Sequence, residues 1–324
     1  MTTWGPALAH DRPLGMLRKA ADGERAHHAW LILGPAGVGK RAVAHQFSKA
    51  LLCESGPPRP CDRCPSCRKV DAGTHSEFHV VEPSGKSHTI TVDQVSAVQR
   101  KLGFRRGEGR NRVVLFEGAG TLNTSAQNKL LKTLEEPPDG TILLLLAVHP
   151  GQLLVTVRSR CSKLLLPALA PRDVQDWLQD RGADPATAAA AASASGGLPD
   201  VGQAMLDEDA RAARAERLEQ MAAALAGDAE VAETLRREHD RDRPGTAALF
   251  DLAAELLRDA MVARTGAPVA PLHLDAPAPR GQLAALAPRD LADAMTRIEV
   301  AREQLSRNVH PGGLLDDLFG TLAS

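Results

Sequence analysis

The stretch AWLILGPAGVGKRAVAHQFSKALL, residues 29 to 52, passes from an apolar run through a glycine-rich segment into a helical pattern. Gly34, Gly37, Gly39 and Lys40 fit the spacing G-x-x-x-x-G-K, directly after a predicted strand and before a predicted helix. In that context the glycines let backbone N–H groups surround a polyphosphate, and the lysine reaches its terminal phosphates. The sequence therefore predicts a phosphate-binding loop within an α/β fold.

One position of this loop departs from the pattern. Arg41 stands where a serine or threonine hydroxyl would bind Mg²⁺. Two interpretations stay open. In the first, the loop, including Arg41, binds ATP or ADP while holding Mg²⁺ poorly. In the second, it is an inherited loop that holds nothing or a simple anion.

Four more apolar runs follow the first one along the chain, and helical patterns with apolar residues at three-to-four spacing separate several of them. The five runs are residues 29–35, 78–83, 112–117, 141–148 and 163–169. Strands that are buried on both faces and separated by helices imply a parallel sheet with helices on each side. The fold class predicted here is thus α/β with a parallel five-stranded sheet.

Strand signals vanish after residue 167, and the remaining sequence is helical in pattern. We expect three domains. They are a nucleotide-binding-like domain with a cysteine module at 53–67, a small helical lid, and an all-α collar, at residues 1–167, 168–207 and 208–324.

Bulk composition excludes several classes of protein. The 324 residues carry a formal net charge of -1, so no global electrostatic attraction to nucleic acid or to an anionic membrane is expected. Aromatic residues make up 3%, too few for a base-stacking platform. No apolar run approaches the roughly 20 residues of a membrane helix, and the N-terminus lacks a signal-peptide layout, so we expect a cytoplasmic chain.

Four of the five cysteines lie within fifteen residues, as Cys53, Cys61, Cys64 and Cys67. Four thiolates suit a tetrahedral structural Zn²⁺, and full coordination by protein would leave no open position for catalysis. In a reducing cytoplasm, disulfides are the weaker interpretation. An iron–sulfur cluster is the alternative that colour and metal content would distinguish.

The strand predicted at 112–117 ends in a single acid. In phosphate-loop ATPases an acid at this place holds Mg²⁺ through water, and the next acid activates the attacking water. Glu117 fills the first place, but Gly118 fills the second and offers no proton acceptor. The sequence therefore predicts a degenerate ATPase that does not turn over nucleotide by itself.

Several motifs together resemble the AAA+ clamp-loader family of DNA polymerase III. Besides the phosphate loop and the cysteine insert, they are NKLLKTLEEPP (128–138), SRC (159–161), GTHSEFHVVEP (73–83), ITVDQVSAVQRKL (90–102) and NVHPGGLLDDLF (308–319). Gly118, and Pro199 in place of a sensor arginine, make the chain more similar to the family's stationary subunit than to its gamma/tau motors. The sensor threonine expected after the fourth strand is replaced by Val148 or His149.

The resemblance implies a role for Arg160 of the SRC motif. In the family this arginine reaches the ATP of a neighbouring subunit, so Arg160 is the candidate arginine finger in trans. Implied partners are the gamma/tau and delta subunits, the beta sliding clamp, and primed DNA through the assembled complex. The resemblance further implies that the collar at 208–324 joins the subunits into a ring.

Two other hypotheses remain. One is an active ATPase motor of the same architecture, with Lys40 functional and a base supplied from elsewhere. The other is a zinc-dependent DNA-binding adaptor, which accounts for the cysteines but leaves the phosphate loop and the SRC motif without a purpose. ATP turnover by the purified chain would favour the motor, and tight DNA binding without partners would favour the adaptor.

Overall fold

The computed structural model describes residues 10–23, 26–85, 89–267, 281–306 and 309–320. The N-terminal residues 1–9 and Asn308, the first residue of the NVHPGGLLDDLF motif, lie outside these ranges. The chain forms two compact units. One comprises Met1–Asp180 and Leu198–Asp200, and the other comprises Arg181–Gly197 and Val201–Ser324. The expected division into three domains stays a prediction.

The first unit contains the five predicted strands in one parallel sheet of order β2-β3-β4-β1-β5. The strands are β1 (Ala29–Leu33), β2 (Phe78–Val81), β3 (Arg112–Phe116), β4 (Thr141–Ala147) and β5 (Ser162–Leu165). Every residue of β1, β3 and β4 is buried, as their continuous apolar runs predict for strands covered on both faces. The predicted α/β fold class is confirmed.

Helices connect these strands, and short 3₁₀ turns follow β3 and β4. The helices of the first unit are α1 (Asp11–Asp22), α2 (Lys40–Leu52), α3 (Pro65–Asp71), α4 (Val92–Leu102), α5 (Thr124–Glu135), α6 (Val155–Arg158) and α7 (Pro171–Gln179). Helices α1 and α3 are not predicted from the sequence. In α1 the signal exists, because Leu14, Leu17 and Ala21 are buried at helical spacing, but Pro13 and Gly15 obscure it.

Local hydrogen bonds explain where the helices begin. The Asn123 side chain accepts from the backbone N–H of Ala126 at 2.8 Å and starts α5. Thr91 and Gln94 form a reciprocal capping box at the start of α4. Both caps fix helices that follow strand ends, and they therefore fix the edge of the sheet where β1, β3 and β4 terminate.

The second unit is helical throughout its described residues. Its main helices are α8 (Pro185–Ala194), α10 (Glu208–Leu225), α11 (Ala229–Glu238), α12 (Arg243–Thr265), α13 (Pro288–Ser306) and α14 (Pro311–Phe319), and α9 (Pro199–Ala204) crosses the boundary between the two units. Leu218, Phe250, Leu257, Ile298 and Leu315 belong to one fully buried apolar cluster. Among the described residues, no helix combines the length and hydropathy needed to cross a bilayer.

Candidate functional site

The phosphate loop lies between the end of β1 and the start of α2, where its sequence predicts it. Gly34, Gly37 and Gly39 all have positive φ angles, of 156°, 77° and 88°. A side chain at Gly34 would also place its Cβ 2.3 Å from the carbonyl oxygen of Leu166. The glycines are thus required by backbone conformation and by close approach, and the shape of the cradle is preserved.

The Lys40 ammonium turns back into its own loop. Its Nζ donates to the carbonyl oxygens of Gly34 at 2.8 Å and Pro35 at 2.7 Å. Burial lowers the pKa of Lys40 to about 8, an effect that the carboxylate of Asp200 opposes. The lysine that would contact terminal phosphates therefore already has two acceptors within the loop.

Arg41, which is largely exposed, pairs with the acid that the sequence predicts to hold Mg²⁺. Its Nε lies 3.1 Å from the Glu117 carboxylate, and its Nη2 lies 3.5 Å from that of Glu82. Burial raises the pKa of Glu117, while the charge of Arg41 lowers it. The acid predicted to hold Mg²⁺ is paired with a cation that belongs to the chain, so a divalent ion would have to compete with that cation.

Gly118 adopts a backbone conformation that favours glycine. Its φ angle is +70°, and a Cβ there would approach Pro83 Cγ to 3.2 Å. Its carbonyl oxygen accepts hydrogen bonds from both the backbone N–H and the hydroxyl of Thr121. A glutamate at position 118 would adopt a left-handed conformation that side chains disfavour, so the missing base is not a change that one substitution reverses without strain.

An acid, not an arginine, follows Pro199 beside the loop. The backbone N–H of Asp200 donates to the Gly37 carbonyl oxygen at 3.1 Å, which ties residues 198–200 to the phosphate loop. Partial desolvation raises the pKa of Asp200, and the charge of Lys40 opposes that rise. A carboxylate here repels phosphate, which is the opposite of what a sensor arginine does.

Gln152, at the end of the 3₁₀ turn that follows β4, bonds the two residues where a sensor threonine is expected. Its Oε1 accepts from the backbone N–H groups of Val148 at 3.1 Å and His149 at 3.2 Å. Gly120 lies directly against it, since a Cβ there would be 2.4 Å from Oε1. The cavity beside the loop, of about 280 Å³, is therefore lined by groups that are already engaged with the chain.

Arg160 lies on the turn between α6 and β5 with about a third of its side chain exposed. Its Nη2 is 2.7 Å from the Glu135 carboxylate at the end of α5, and its Nη1 donates to the Thr156 carbonyl oxygen at 2.9 Å. The adjacent Cys161 is buried, and burial raises the pKa of its thiol to about 11. The arginine is accessible and held in place, whereas the cysteine is an unreactive packing residue.

The four clustered cysteines converge on one point. Their sulfur atoms all lie within 4.8 Å of one another, and those of Cys61 and Cys67 are 4.0 Å apart. Four sulfurs about 2.3 Å from a tetrahedral zinc would be about 3.8 Å apart. Backbone N–H groups of Cys64 and Cys67 donate to the preceding ligand sulfurs at 3.3 and 3.4 Å. The residues present fit a metal ion such as Zn²⁺.

Lys49 anchors the cysteine module to α2. Its buried ammonium lies 2.6 Å from the Asp62 carboxylate and 2.9 Å from that of Asp71. Burial lowers the pKa of Lys49, but these two carboxylates outweigh that effect and raise it. The segment that carries Cys61, Cys64 and Cys67 is therefore fixed by an ion pair as well as by the cluster.

Sequence reasoning misses four polar residues of these sites. Glu82, Gln152 and Asp200 line or border the phosphate loop, and Glu135 holds Arg160. Glu82, Glu135 and Asp200 belong to segments distant in sequence from their partners, whereas Gln152 bonds the nearby Val148 and His149. Only the GLPD segment around Asp200 carries a sequence signal, as the counterpart of a sensor motif.

Residues 9–170, half of the chain, match the protein family described as DNA polymerase III, delta subunit. DNA polymerase III subunit delta' of Pseudomonas aeruginosa is 38% identical over 199 residues, or 59% of this chain and 60% of that protein. The Bacillus subtilis subunit delta' is 32% identical over 174 residues, or 54% and 52% of the two chains. The Escherichia coli subunit delta' is 39% identical over 158 residues, or 48% and 46%. The chain thus matches about half to three fifths of the length of these relatives.

Proposed function

Since the chain belongs to the DNA polymerase III delta-subunit family, we propose that it acts as the delta-prime subunit of a bacterial clamp loader. In this role it is a stator that supplies an arginine finger to a neighbouring ATPase subunit while the beta sliding clamp is loaded onto primed DNA. Its partners are gamma/tau, delta and the clamp, and DNA is met through the assembled complex. The chain itself does not hydrolyse ATP.

The contrast between two cationic places carries this proposal. At the phosphate loop, Lys40 donates to its own backbone, Gly118 offers no base, and Asp200 places an acid beside the lysine. On the turn after α6, Arg160 is about one third exposed, and its carboxylate partner Glu135 is half exposed. A chain with these two features is suited to contribute a cation to another subunit's phosphate and not to bind one tightly itself.

Arg160 is suited to the finger role by its chemistry and by its support. A guanidinium is permanently charged and planar, and it stabilises charge on a transferring phosphoryl group. Its ion pair with Glu135 is partly exposed on both sides, so the pair contributes only about 0–1 kcal/mol. Breaking the pair with Glu135 so that Arg160 can contact a neighbour's phosphate therefore costs little free energy. Val155, on the adjacent turn, is 68% exposed and provides apolar surface for such a neighbour.

No observation favours the motor hypothesis. A motor needs a base after Glu117 and a held Mg²⁺, but Gly118 offers no base and Arg41 stands at the metal position. For the phosphate loop we propose weak binding of ATP or ADP that does not depend on Mg²⁺. The adaptor hypothesis gains no support either, because it gives Arg160 no function.

For the cysteine cluster we propose a structural Zn²⁺ held by Cys53, Cys61, Cys64 and Cys67. Its support is the convergence of four sulfurs, two of them on fully buried residues, in a module that Lys49 anchors. Elemental analysis of the purified chain should give about one zinc per chain and a colourless protein. A brown protein with iron and sulfide would contradict the assignment.

For the helical region we propose that residues 168–207 form a lid and residues 208–324 a collar that joins the subunits. The buried cluster of the second unit gives that region a core of its own, which supports an independent role in assembly. Co-purification of this region with gamma/tau and delta tests the collar. Assembly that depends only on residues 1–167 would contradict it.

A reconstituted complex tests the stator proposal. Arg160→Ala should lower ATP turnover at the neighbouring site by roughly a thousandfold, because the transition-state charge loses its finger. Lys40→Ala, a matched removal of a cation from the phosphate loop, should leave turnover nearly unchanged. Gel filtration must show that both complexes assemble. Full activity of Arg160→Ala, or loss of activity in Lys40→Ala alone, would overturn the proposal.

A further inference from the structure

A second cavity, of about 460 Å³, lies in the first unit at the amino ends of the strands, the edge of the sheet opposite to the phosphate loop. The loop that joins α4 to β3 forms one wall, and the beginning of β4 forms another. Its lining is polar and includes Arg106, Arg110, His28 and Thr141. Neither the proposed stator role nor the zinc site uses this cavity.

Three buried side-chain atoms of the lining have no hydrogen-bond partner among the described residues. They are Arg106 Nη1, His28 Nε2 and Thr141 Oγ1. A buried polar group left without a partner destabilises the fold, and a charged one does so more strongly. Native proteins keep such groups rare, so three around one cavity indicate that an acceptor belongs there.

The Arg106 guanidinium is held in its place by the shape of the backbone. Gly140 has a φ angle of +69°, and a Cβ at that position would lie 2.0 Å from Arg106 Nη1. The arginine thus lies directly against the turn before β4, in space that any other residue at position 140 would fill. A positioned guanidinium loses less entropy on binding than a free surface arginine does.

Charge in the cavity is positive and poorly compensated. Burial and the neighbouring Arg59 lower the pKa of Arg110, while Asp22 and Cys53 oppose that effect. Asp139 also lines the cavity, and its side chain and that of Arg110 are both exposed to solvent. The carboxyl ends of α1 and α2 add partial negative charge. These groups offset part of two guanidinium charges, yet the buried donors remain unpaired.

The arginines of the loop at residues 103–112 divide into distinct roles. Arg112 is structural, because its buried guanidinium pairs with Glu77 and donates to three backbone carbonyl oxygens. Arg105 is exposed and does not line the cavity. Of the four arginines in this loop, only Arg106 and Arg110 line the described part of the cavity. The loop therefore positions two selected cations and is not a uniformly basic surface.

From these observations we propose that this cavity is an oxyanion site for a phosphate group, coordinated by Arg106 and Arg110 with His28 and Thr141 as further donors. Two guanidiniums match the charge of about -1.5 to -2 that a phosphate monoester carries near neutral pH, better than the single charge of a carboxylate. The phosphate comes from a small free phosphate compound or from a nucleic-acid backbone. The site does not depend on the clamp-loader role.

Calorimetric titration of the full-length chain with pyrophosphate tests the site. Wild-type protein should bind with a saturable heat. Arg106→Gln should weaken binding by about tenfold or more, because a charged hydrogen bond is lost. Arg105→Gln removes the same charge from the next residue of the same loop and should leave the affinity unchanged.

Three outcomes would overturn the proposal. Equal weakening by Arg105→Gln and Arg106→Gln would mean that only the net charge of the loop matters. Loss of binding in Lys40→Ala with full binding in Arg106→Gln would place the anion at the phosphate loop. Absence of saturable binding to the wild-type chain would equally reject the site.

Thr141→Val provides a variant that should fold normally. Because Thr141 Oγ1 has no hydrogen-bond partner among the described residues, its removal costs no hydrogen bond in the free protein. The melting temperature without ligand should therefore be unchanged or higher, while pyrophosphate binding weakens severalfold. Unchanged pyrophosphate binding in this variant would mean that the Thr141 hydroxyl does not contact the ligand, which would contradict the assignment.

Competition distinguishes the two sources of phosphate. A labelled single-stranded oligonucleotide that binds the wild-type chain, is displaced by pyrophosphate, and is lost in Arg106→Gln would assign the site to a nucleic-acid backbone. Pyrophosphate binding that the oligonucleotide does not affect would assign it to a small phosphate compound. Acetate should bind much more weakly than pyrophosphate, and equal binding would contradict the phosphate preference.

Discussion

The phosphate loop and the cysteine cluster are both motifs within one unit, but they differ in how their ligand-binding groups are arranged. At the loop, Lys40 donates to its own carbonyl oxygens and Arg41 pairs with Glu117. At the cluster, four sulfurs face one another around a common centre. A motif can thus keep its backbone shape while its charged groups pair with the chain itself, so the motif alone does not show that its ligand binds.

Among the changes proposed for these two regions, removal of one cysteine ligand should have the largest effect on stability. Cys67→Ser should abolish stoichiometric zinc and destabilise the chain, by about 4 kcal/mol when free zinc stands at a thousand times its Kd. Cys161→Ser, a change at the cysteine outside the cluster, should retain zinc. Metal analysis and thermal unfolding check both. Full zinc content in Cys67→Ser would mean that the cluster is not a four-sulfur site.

Loss of the Lys49 anchor should have an intermediate effect on the cysteine module. Lys49→Met leaves Asp62 and Asp71 without their cation, and we expect a loss of about 2 kcal/mol, because the pair is buried on the lysine side only. Urea unfolding measures it. Lys69→Met, which breaks the more exposed pair with Glu108, is the control and should cost less. Equal losses of unfolding free energy in the two variants would mean that Lys49 does not anchor the module.

Arg41→Thr should make ATP binding at the phosphate loop depend on Mg²⁺. The change frees Glu117 and restores a hydroxyl, so ATP should bind about tenfold more tightly with Mg²⁺ than with a chelator, the equivalent of one charge-assisted hydrogen bond. Calorimetry compares the two conditions. Arg41→Lys keeps the cation beside Glu117 and should show no magnesium response. A response in wild-type protein would show that Arg41 does not exclude the metal.

The smallest effect concerns the pH dependence of Lys40. Its pKa in the folded chain is about 8, below the value of about 10.4 in an unfolded chain. Between these values the unfolded chain binds more protons, so stability contributed by this residue rises with pH from about 8 to 10.4. The free energy of unfolding of wild type relative to Lys40→Met should therefore increase over that range. A flat or falling difference would contradict the burial of the ammonium.

Local sequence predicts much of the fold. Continuous apolar runs predict all five strands, because the three central strands are buried on both faces, and the edge strands β2 and β5 are apolar in sequence although they are only partly buried. Asn123 and the two prolines at 137–138 likewise mark the bounds of α5. Helix α1 is missed because Gly15 and Pro13 weaken its pattern, although its buried face is regular.

Sequence alone determined the phosphate-loop glycines, the absence of a base at Gly118 and the spacing of the four cysteines, while Arg160 as the candidate finger rests on the resemblance of the SRC motif to the clamp-loader family. These features depend on neighbours in the chain or on residue type. Only the tertiary structure decided which charged groups are already paired: Arg41 with Glu117, Arg160 with Glu135, and Lys40 with its own loop. It also brought Arg106, His28 and Thr141 around one cavity. The physical reason is that pairing and burial depend on distances between segments far apart in sequence, which no local pattern encodes.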